Sequence, residues 1–132
     1  MVPAPAAVAA RTILVVDDEH VVRMVLRRWF DRQGWTVLEA ETAERALELL
    51  AGAATPDLVL CDLNLPGLSG TALCRRITEQ HPVLASRLVM TSGDPGSAAA
   101  ELQRASLRCP VLGKPFTLAD LERLVDTVAC TA

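Results

Sequence analysis

The chain has 132 residues, of which 51% are hydrophobic and 22% are charged, and its formal net charge is −3. This balance excludes a disordered chain, and the small excess of acids gives no reason to expect a nucleic-acid partner. The length predicts a single domain. No apolar run is long enough to span a bilayer and no signal peptide is evident, so we expect a cytoplasmic protein without membrane contact.

The composition of the first ten residues sets them apart from the rest of the chain. Residues 1–10 contain only Met, Val, Pro and Ala and are predicted to be a disordered tail or linker, with the domain at residues 11–130. The cysteines form no Cys-x-x-Cys pair and most lie in apolar stretches, which favours small buried thiols in a reducing cytosol. They are Cys61, Cys74, Cys109 and Cys130.

The first half of the domain alternates apolar runs with helical patterns. Residues 13–16 are β-branched-rich, as is typical of a strand covered on both faces. The helix that follows is predicted to end at Gly34, and a short strand comes next at residues 36–38. Thr42 is the predicted cap of the second helix, which ends at Gly52. The apolar face of the first helix has helical spacing and comprises Val22, Val25, Leu26, Trp29 and Phe30.

The second half continues the alternation. Its predicted strands are residues 57–61, 87–90 and 111–112. The third helix follows a glycine-rich loop and ends before Pro82, and the fourth follows a loop at residues 92–97. Leu118, Leu121, Val125 and Val128 are predicted to lie on the inner face of the last helix. Strands that alternate with helices predict an α/β fold, with a parallel sheet covered by helices on both faces.

Polar residues stand where the predicted strands end. Ligands of such sheets bind beyond the carboxyl ends of the strands, so these positions are the candidate site. The second strand alone contributes no obvious group. Asp17 and Asp18 follow the first strand, Asp62 the third, Thr91 the fourth and Lys114 the fifth.

Each of these residues has an ordinary explanation by itself. An aspartate before a helix is commonly a cap, one in a loop commonly forms an Asx turn, and most lysines are solvated. Together, however, three carboxylates in one crevice would repel each other by roughly 4 kcal/mol per close pair at an effective dielectric constant near 20. A cation is expected to offset this repulsion. Because all the candidate ligand atoms are oxygens, Mg2+ is the favoured ion.

A bound cation would free one carboxylate for chemistry. Aspartate can act as a nucleophile and form an acyl phosphate. Phosphoryl transfer depends mainly on positioning and on neutralisation of charge. Lys114 would supply positive charge, and the Thr91 hydroxyl a hydrogen bond to a phosphoryl oxygen. We therefore expect Asp62 to be the phosphoacceptor.

Four motifs in this order resemble the receiver domain of two-component response regulators. The resemblance runs from about residue 11 to residue 128, and its motifs are specific as a set. They are ILVVDDE at residues 13–19, DLVLCDLNLPGLSG at residues 57–70, VMTSG at residues 89–93 and KPF at residues 114–116.

The resemblance implies a doubly wound, flavodoxin-like sheet with strand order 2-1-3-4-5 and three α/β/α layers. It implies that Asp62 accepts the phosphoryl group, with Asp18 bound directly to Mg2+ and Asp17 mainly through water. The backbone carbonyl of Asn64 would complete the metal site. Lys114 would pair with the phosphoryl group, and Thr91 would reorient towards it. The Lys114-Pro115 peptide bond would be cis.

The partners implied by the resemblance are phosphohistidine donors. The donor would be a sensor histidine kinase or a histidine phosphotransfer protein, and acetyl phosphate could replace it. The basic side chains of the first helix are either a solvated face or a docking surface for the kinase helices. They are Arg23, Arg27, Arg28 and Arg32. The sequence predicts no oligomeric state.

One position departs from the family pattern. Receivers often carry Tyr or Phe three residues before the lysine, and that ring turns inwards on activation. This chain has Val111 there. A valine cannot signal by burial of a ring, so the output of the switch must work differently or be weak.

Two other functions remain open on the sequence. A small Mg2+-dependent phosphatase or phosphotransferase could share the topology and an aspartyl nucleophile, although such enzymes usually have an acid where this chain has Asn64. A receiver used only for protein contacts is the other alternative, and the complete set of acids, Thr91 and Lys114 argues against it. The domain could be a stand-alone regulator or the C-terminal receiver of a hybrid sensor kinase, and the runs at residues 91–95, 102–108 and 110–116 favour the second origin by analogy.

Overall fold

The computed structural model describes residues 11–52 and 55–131, without the side chains of residues 128–131. The tail or linker expected at residues 1–10 lies outside the described residues. The strands are β1 Thr12–Val16, β2 Thr36–Ala40, β3 Leu58–Asp62, β4 Leu88–Ser92 and β5 Val111–Gly113. The helices are α1 His20–Arg32, α2 Ala43–Ala51, α3 Gly70–Gln80, α4 Pro95–Arg104 and α5 Leu118–Thr131, and a 3-10 helix spans Pro82–Arg87.

The five strands form one parallel sheet in the order β2-β1-β3-β4-β5. The order reverses between β1 and β3, the place where doubly wound sheets bind ligands. The expected doubly wound α/β fold is confirmed.

Alternate residues of the strands pack into two cores on opposite faces of the sheet, as the two-residue period of a strand requires. Ile13 and Val15 of β1 belong to the core that α1 and α5 cover. Leu14 and Val16 belong to the other core, which α2, α3 and α4 cover. The sheet is therefore the middle of three layers. Helices cover both of its faces, so its polar side chains can reach a ligand at the ends of the strands.

The helix boundaries follow ordinary capping rules, with two differences from the prediction. Gly34 has a φ of 87° just after α1, which is the left-handed conformation that glycine favours. The Thr42 hydroxyl accepts a hydrogen bond from the backbone N–H of Arg45, as expected of a cap. The α4 helix, however, begins at Pro95 inside the predicted loop, because Asp94 accepts a hydrogen bond from the N–H of Ser97 at 3.2 Å. The 3-10 helix was not predicted.

Two apolar residues expected on inner helix faces are exposed. Val25 of α1 is 48% exposed and Leu118 of α5 is 59% exposed. Val25 borders a surface groove between α1 and the segment after β5, so no part of the chain that the structure describes covers the outer part of the apolar face of α1. Among the described residues, no helix is both long enough and apolar enough to cross a bilayer.

Gly70 lets α3 begin directly against the end of β3. A Cβ atom at this residue would lie 2.5 Å from both the carbonyl oxygen of Asp62 and the Cα of Leu63. These are backbone atoms, which cannot move aside as the end of a flexible side chain can. The Gly70 N–H also donates to the carbonyl of Leu63 at 3.0 Å. The close approach fixes the segment that carries Asp62.

We predict that Gly70→Ala lowers the free energy of unfolding by about 1 to 3 kcal/mol, since the added methyl group displaces backbone at the end of β3. Chemical denaturation measures this change. Gly93→Ala is the control, because a Cβ atom there would meet nothing within 4 Å. Equal stability of Gly70→Ala and the wild type would contradict the packing argument.

Candidate functional site

Two adjacent strands bring the predicted acids together. Val16 at the end of β1 is in register with Cys61 of β3, so Asp17 follows beside Asp62. Asp62 is itself the last residue of β3, which therefore ends one residue later than the sequence predicted. Asp17 and Asp62 are buried, with 2% and 5% of their surface exposed, whereas Asp18 is exposed to solvent. The acids therefore form a crevice with two buried members and one at its mouth.

The three acids form a cluster that could hold a metal ion. One carboxylate oxygen from each of Asp17, Asp18 and Asp62 lies within 4.8 Å of the other two. Like charges about 4 Å apart repel by roughly 4 kcal/mol at an effective dielectric constant near 20, so the arrangement needs positive charge. Oxygen ligands on two buried carboxylates and an exposed one suit a hard divalent cation that keeps part of its water. The donor set fits Mg2+.

Lys114 supplies positive charge from the end of β5. Its Nζ lies 2.7 Å from Oδ2 of Asp17, 3.3 Å from Oδ2 of Asp62 and 3.5 Å from Oε1 of Glu19. The Lys114-Pro115 peptide bond is cis, as the resemblance implied. One ammonium group therefore bridges the two buried carboxylates.

The pKa values of Asp62 and Lys114 reflect the opposing effects of burial and of neighbouring charges. Burial raises the pKa of Asp62 above its ordinary value, although the N–H of Asn64 and the charge of Lys114 work against that rise. Burial would lower the pKa of Lys114, but its hydrogen bond to Asp17 and the charges of both acids outweigh burial and raise that pKa. Lys114 is thus held as a cation, and the Asp62 carboxylate is held in surroundings that disfavour its charge.

Backbone groups orient the acids. The N–H of Asn64 donates to Oδ1 of Asp62 at 3.1 Å, and the N–H of Glu19 donates to Oδ1 of Asp17 at 2.9 Å. Each buried carboxylate therefore has one oxygen held by the backbone, while Lys114 contacts its other oxygen. Asn64 thus contributes at least its N–H to the site.

Thr91 lies beside the phosphoacceptor candidate. It is 2% exposed and pairs in register with Asp62 across β3 and β4. It belongs to β4 itself rather than to the loop after it, because the ladder continues as far as Ser92. The structure thus brings Asp17, Asp18, Asp62, Thr91 and Lys114 to one edge of the sheet.

Arg23 is a part of the site that the sequence prediction placed elsewhere. Its Nη1 donates to the backbone carbonyl of Asp17 at 2.7 Å, and its Nε lies 3.3 Å from Oε1 of Glu39 on β2. Arg27 also pairs with Glu39. Two of the four arginines predicted on the outer face of α1 therefore bind an acid of β2, and β2 contributes to the site after all. The signal in the sequence was Glu39, a charged residue directly after the strand predicted at residues 36–38 and inside β2 in the structure.

Comparison with known proteins gives the family. A family model described as the response regulator receiver domain matches residues 13–126. The chain belongs to this family. Receiver domains act in two-component signalling and interact with histidine kinases, so the expected family and signalling class are confirmed.

Relatives of this receiver occur in proteins of different kinds. It is 33% identical over 114 residues to the DNA-binding transcriptional regulator NtrC of Escherichia coli (strain K12), covering 86% of this chain and 24% of NtrC. It is 33% identical over 115 residues to the sensor kinase CckA of Brucella abortus (strain 2308), covering 86% of this chain and 12% of CckA. The chain thus spans a quarter or less of these two curated relatives.

A solved structure has the same fold. The signal receiver domain of an HD domain-containing protein from Pseudomonas fluorescens Pf-5 is similar to this receiver with a TM-score of 0.79 and 27% sequence identity. The similarity covers 92% of this chain and 96% of that one.

We predict that Arg23→Ala weakens Mg2+ binding by about 10-fold, because the Asp17 carbonyl loses the donor that holds the adjoining acids in place. Isothermal titration calorimetry measures the affinity. Arg23→Lys should recover part of it, and Arg28→Ala, on the exposed part of α1, should leave it unchanged. Equal affinities for the wild type and Arg23→Ala would show that Arg23 does not position the acids.

Proposed function

We propose that this receiver accepts a phosphoryl group from a phosphohistidine onto the carboxylate of Asp62. The proposal rests on one observation, the meeting of Asp17, Asp18 and Asp62 at one end of the sheet with Lys114 bridging the buried pair. The three carboxylates repel one another, which makes the cluster electrostatically unfavourable. A divalent cation would offset this repulsion, and Lys114 would stabilise an anionic phosphoryl group on Asp62.

The proposed step is the attack of an Asp62 carboxylate oxygen on phosphorus. The new O–P bond forms as the N–P bond of the phosphohistidine breaks, and the imidazole leaves with the bonding electrons. Lys114 stabilises the charge on the phosphoryl oxygens, since its ammonium already lies 3.3 Å from Asp62. Thr91, paired with Asp62 in the sheet, donates its hydroxyl hydrogen to a phosphoryl oxygen.

We propose that Asp17, Asp18, Asp62 and the backbone carbonyl of Asn64 hold Mg2+, with Asp17 acting mainly through water. Bound Mg2+ would neutralise charge on the phosphoryl oxygens and help to position them for transfer. The chain's own residues supply the rest: the N–H groups of Asn64 and Glu19 orient the carboxylates, and Lys114 stays protonated beside the two buried acids.

The alternatives have weaker support. A phosphatase of this topology usually has an acid two residues after its nucleophile, and Asn64 occupies that position. A receiver used only for contacts would have no need for an acidic cluster of this kind. We infer a phosphoacceptor switch, not an enzyme with its own substrate, that acts in the cytoplasm.

The means of output follows from Val111. The residue is half-buried at the start of β5 and packs against the core that α2, α3 and α4 cover. It has no ring to turn inwards, so we propose that Thr91 changes the packing of β4 and β5 without an aromatic rotamer switch. The parent protein is proposed to be a stand-alone regulator or a hybrid sensor kinase, as the mixed relatives allow.

The donor must cover the mouth of the crevice, and the surface there is apolar. We call the side chains of Val21, Val25 and Phe116 the apolar rim. They line a groove of about 410 Å3 beside Lys114, and Val21 and Val25 are 62% and 48% exposed. A partner that brings its histidine to Asp62 buries this rim. We propose that the rim, rather than the arginines already paired with Glu39, is the main docking contact for the kinase or phosphotransfer helices.

We predict that Asp62→Asn abolishes phosphoryl incorporation, because an amide cannot form the acyl phosphate. Intact mass after incubation with acetyl phosphate and Mg2+ measures a gain of about 80 Da per phosphoryl group. The wild type should show the gain, and EDTA should remove it. Asp126→Asn, on the exposed face of α5, should behave as the wild type. Incorporation retained by Asp62→Asn would overturn the proposed acceptor.

We predict that Val25→Asp slows phosphotransfer from a cognate kinase by about 10-fold or more while leaving labelling by acetyl phosphate unchanged, since a charge in a buried apolar contact is costly. The two donors are compared by the rate of loss of label from the kinase and by intact mass. Val83→Asp is the matched control, because this valine is 65% exposed on the 3-10 helix. Equal slowing by both variants, or none, would contradict docking at the rim.

A further inference from the structure

Two cysteines far apart in the sequence meet away from the phosphoacceptor site. Cys74 lies in α3 and Cys109 in the segment between α4 and β5, 35 residues further on. Their Sγ atoms are 2.8 Å apart, and both thiols are free. The bond in a disulfide is about 2.05 Å long, so a small movement joins the two sulfurs. Simple burial of thiols does not require this pairing.

We propose that Cys74 and Cys109 are a modification site, which a peroxide oxidises to an intramolecular disulfide. Disulfides in reducing compartments are generally transient and serve in redox sensing, which suits two thiols that meet inside a signalling domain. The proposal is independent of phosphoryl transfer, since it uses none of the residues of the acidic cluster.

Access selects Cys109 as the thiol that meets the oxidant. Cys109 is half-buried and lines a surface pocket of about 450 Å3 together with Gln103, Leu107 and Arg108. Cys74 is buried and cannot be reached in the same way.

The hydrogen bond between the thiols favours the same order. The contact between the two thiols lowers the pKa of Cys109 and raises the pKa of Cys74. Together with the access of Cys109 to the surface pocket, this direction favours Cys109 as the thiol that reacts with the oxidant and Cys74 as the thiol that resolves the reaction. Burial raises the pKa of Cys61 as well, which leaves that thiol unreactive.

The chemistry takes two steps. The Cys109 thiolate attacks one oxygen of hydrogen peroxide, the O–O bond breaks, and hydroxide leaves and takes up a proton to become water, so that Cys109 becomes a sulfenic acid. The sulfur of Cys74 then attacks the sulfur of Cys109, its S–H proton goes to the departing hydroxyl group, and a second water forms. Two thiols are oxidised and one peroxide is reduced to two waters.

The bond would join α3 to the segment that leads into β5. A neighbouring contact already connects these parts, since Arg75 donates to the carbonyl of Ala105 at 3.4 Å. The α3 helix begins at Gly70 against the end of β3, and β5 carries Lys114 on its far end. Oxidation would thus restrict two of the elements that border the phosphoacceptor, and it would make the fold more resistant to heat.

The experiment treats the protein with hydrogen peroxide, blocks the remaining thiols under denaturing conditions and maps the peptides by mass spectrometry. We expect a loss of about 2 Da per chain and a peptide pair that joins Cys74 to Cys109. We also expect the midpoint of thermal unfolding to rise by roughly 5 to 15 °C, and dithiothreitol to reverse both changes.

Matched variants test the assignment. Cys109→Ser should form no internal bond and show no rise in the midpoint, whereas Cys130→Ser should behave as the wild type. A linkage between other cysteines, bonds only between chains, or a wild type that keeps all its thiols under peroxide would overturn the proposal. The peptide map of the oxidised wild type decides the question even where a variant fails to fold.

Discussion

The structure depends on a bridge between like charges. Lys114 holds Asp17 and Asp62 together at the carboxyl end of the sheet, at 2.7 and 3.3 Å, while Asp18 stands at the mouth of the same crevice. Parallel strands bring these residues together, since β1 and β3 end side by side and β5 lies two strands further along. One ammonium cannot balance three carboxylates, so the domain is left with a negative crevice that favours a cation.

The surrounding structure holds the closely spaced carboxylates in place. Arg23 fastens the backbone of Asp17 to β2 through Glu39, and the N–H groups of Glu19 and Asn64 point at the buried carboxylates. Gly70 lets α3 start against the residue that carries the proposed chemistry. The raised pKa of Asp62 shows that its charge is stabilised only in part within the protein alone. A crowded negative site of this kind suits the proposed switch, because a bound cation or phosphoryl group would change its balance of charge.

Much of this architecture follows from the sequence, and the departures have physical reasons. Continuous apolar runs predict the strands, because a strand between two helical layers has no polar face. The β3 and β4 strands end later than predicted because their ladders continue through Asp62 and Thr91, and a polar side chain does not stop a backbone hydrogen bond. Val25 and Leu118 are apolar yet exposed, which periodicity alone cannot reveal, since it shows a face but not what covers it.

Contacts between distant parts of the chain are the least accessible from the sequence. The inward turn of Arg23 towards Glu39 and the meeting of Cys74 with Cys109 depend on the packing of whole elements. The acids at the strand ends were predictable because parallel topology brings all strand ends to one edge, whatever the details of packing. The residues of the site were thus more readily predicted than the contacts that hold them in place.

The most direct test of the central claim is to find which carboxylate carries the phosphoryl group. Borohydride reduces an acyl phosphate to an alcohol, so a phosphorylated aspartate becomes homoserine and can be located by tandem mass spectrometry of the peptides. After labelling with acetyl phosphate and Mg2+, we expect homoserine at position 62 and at no other aspartate. Homoserine at position 17 or 18, or a labelled protein that yields none, would contradict the account.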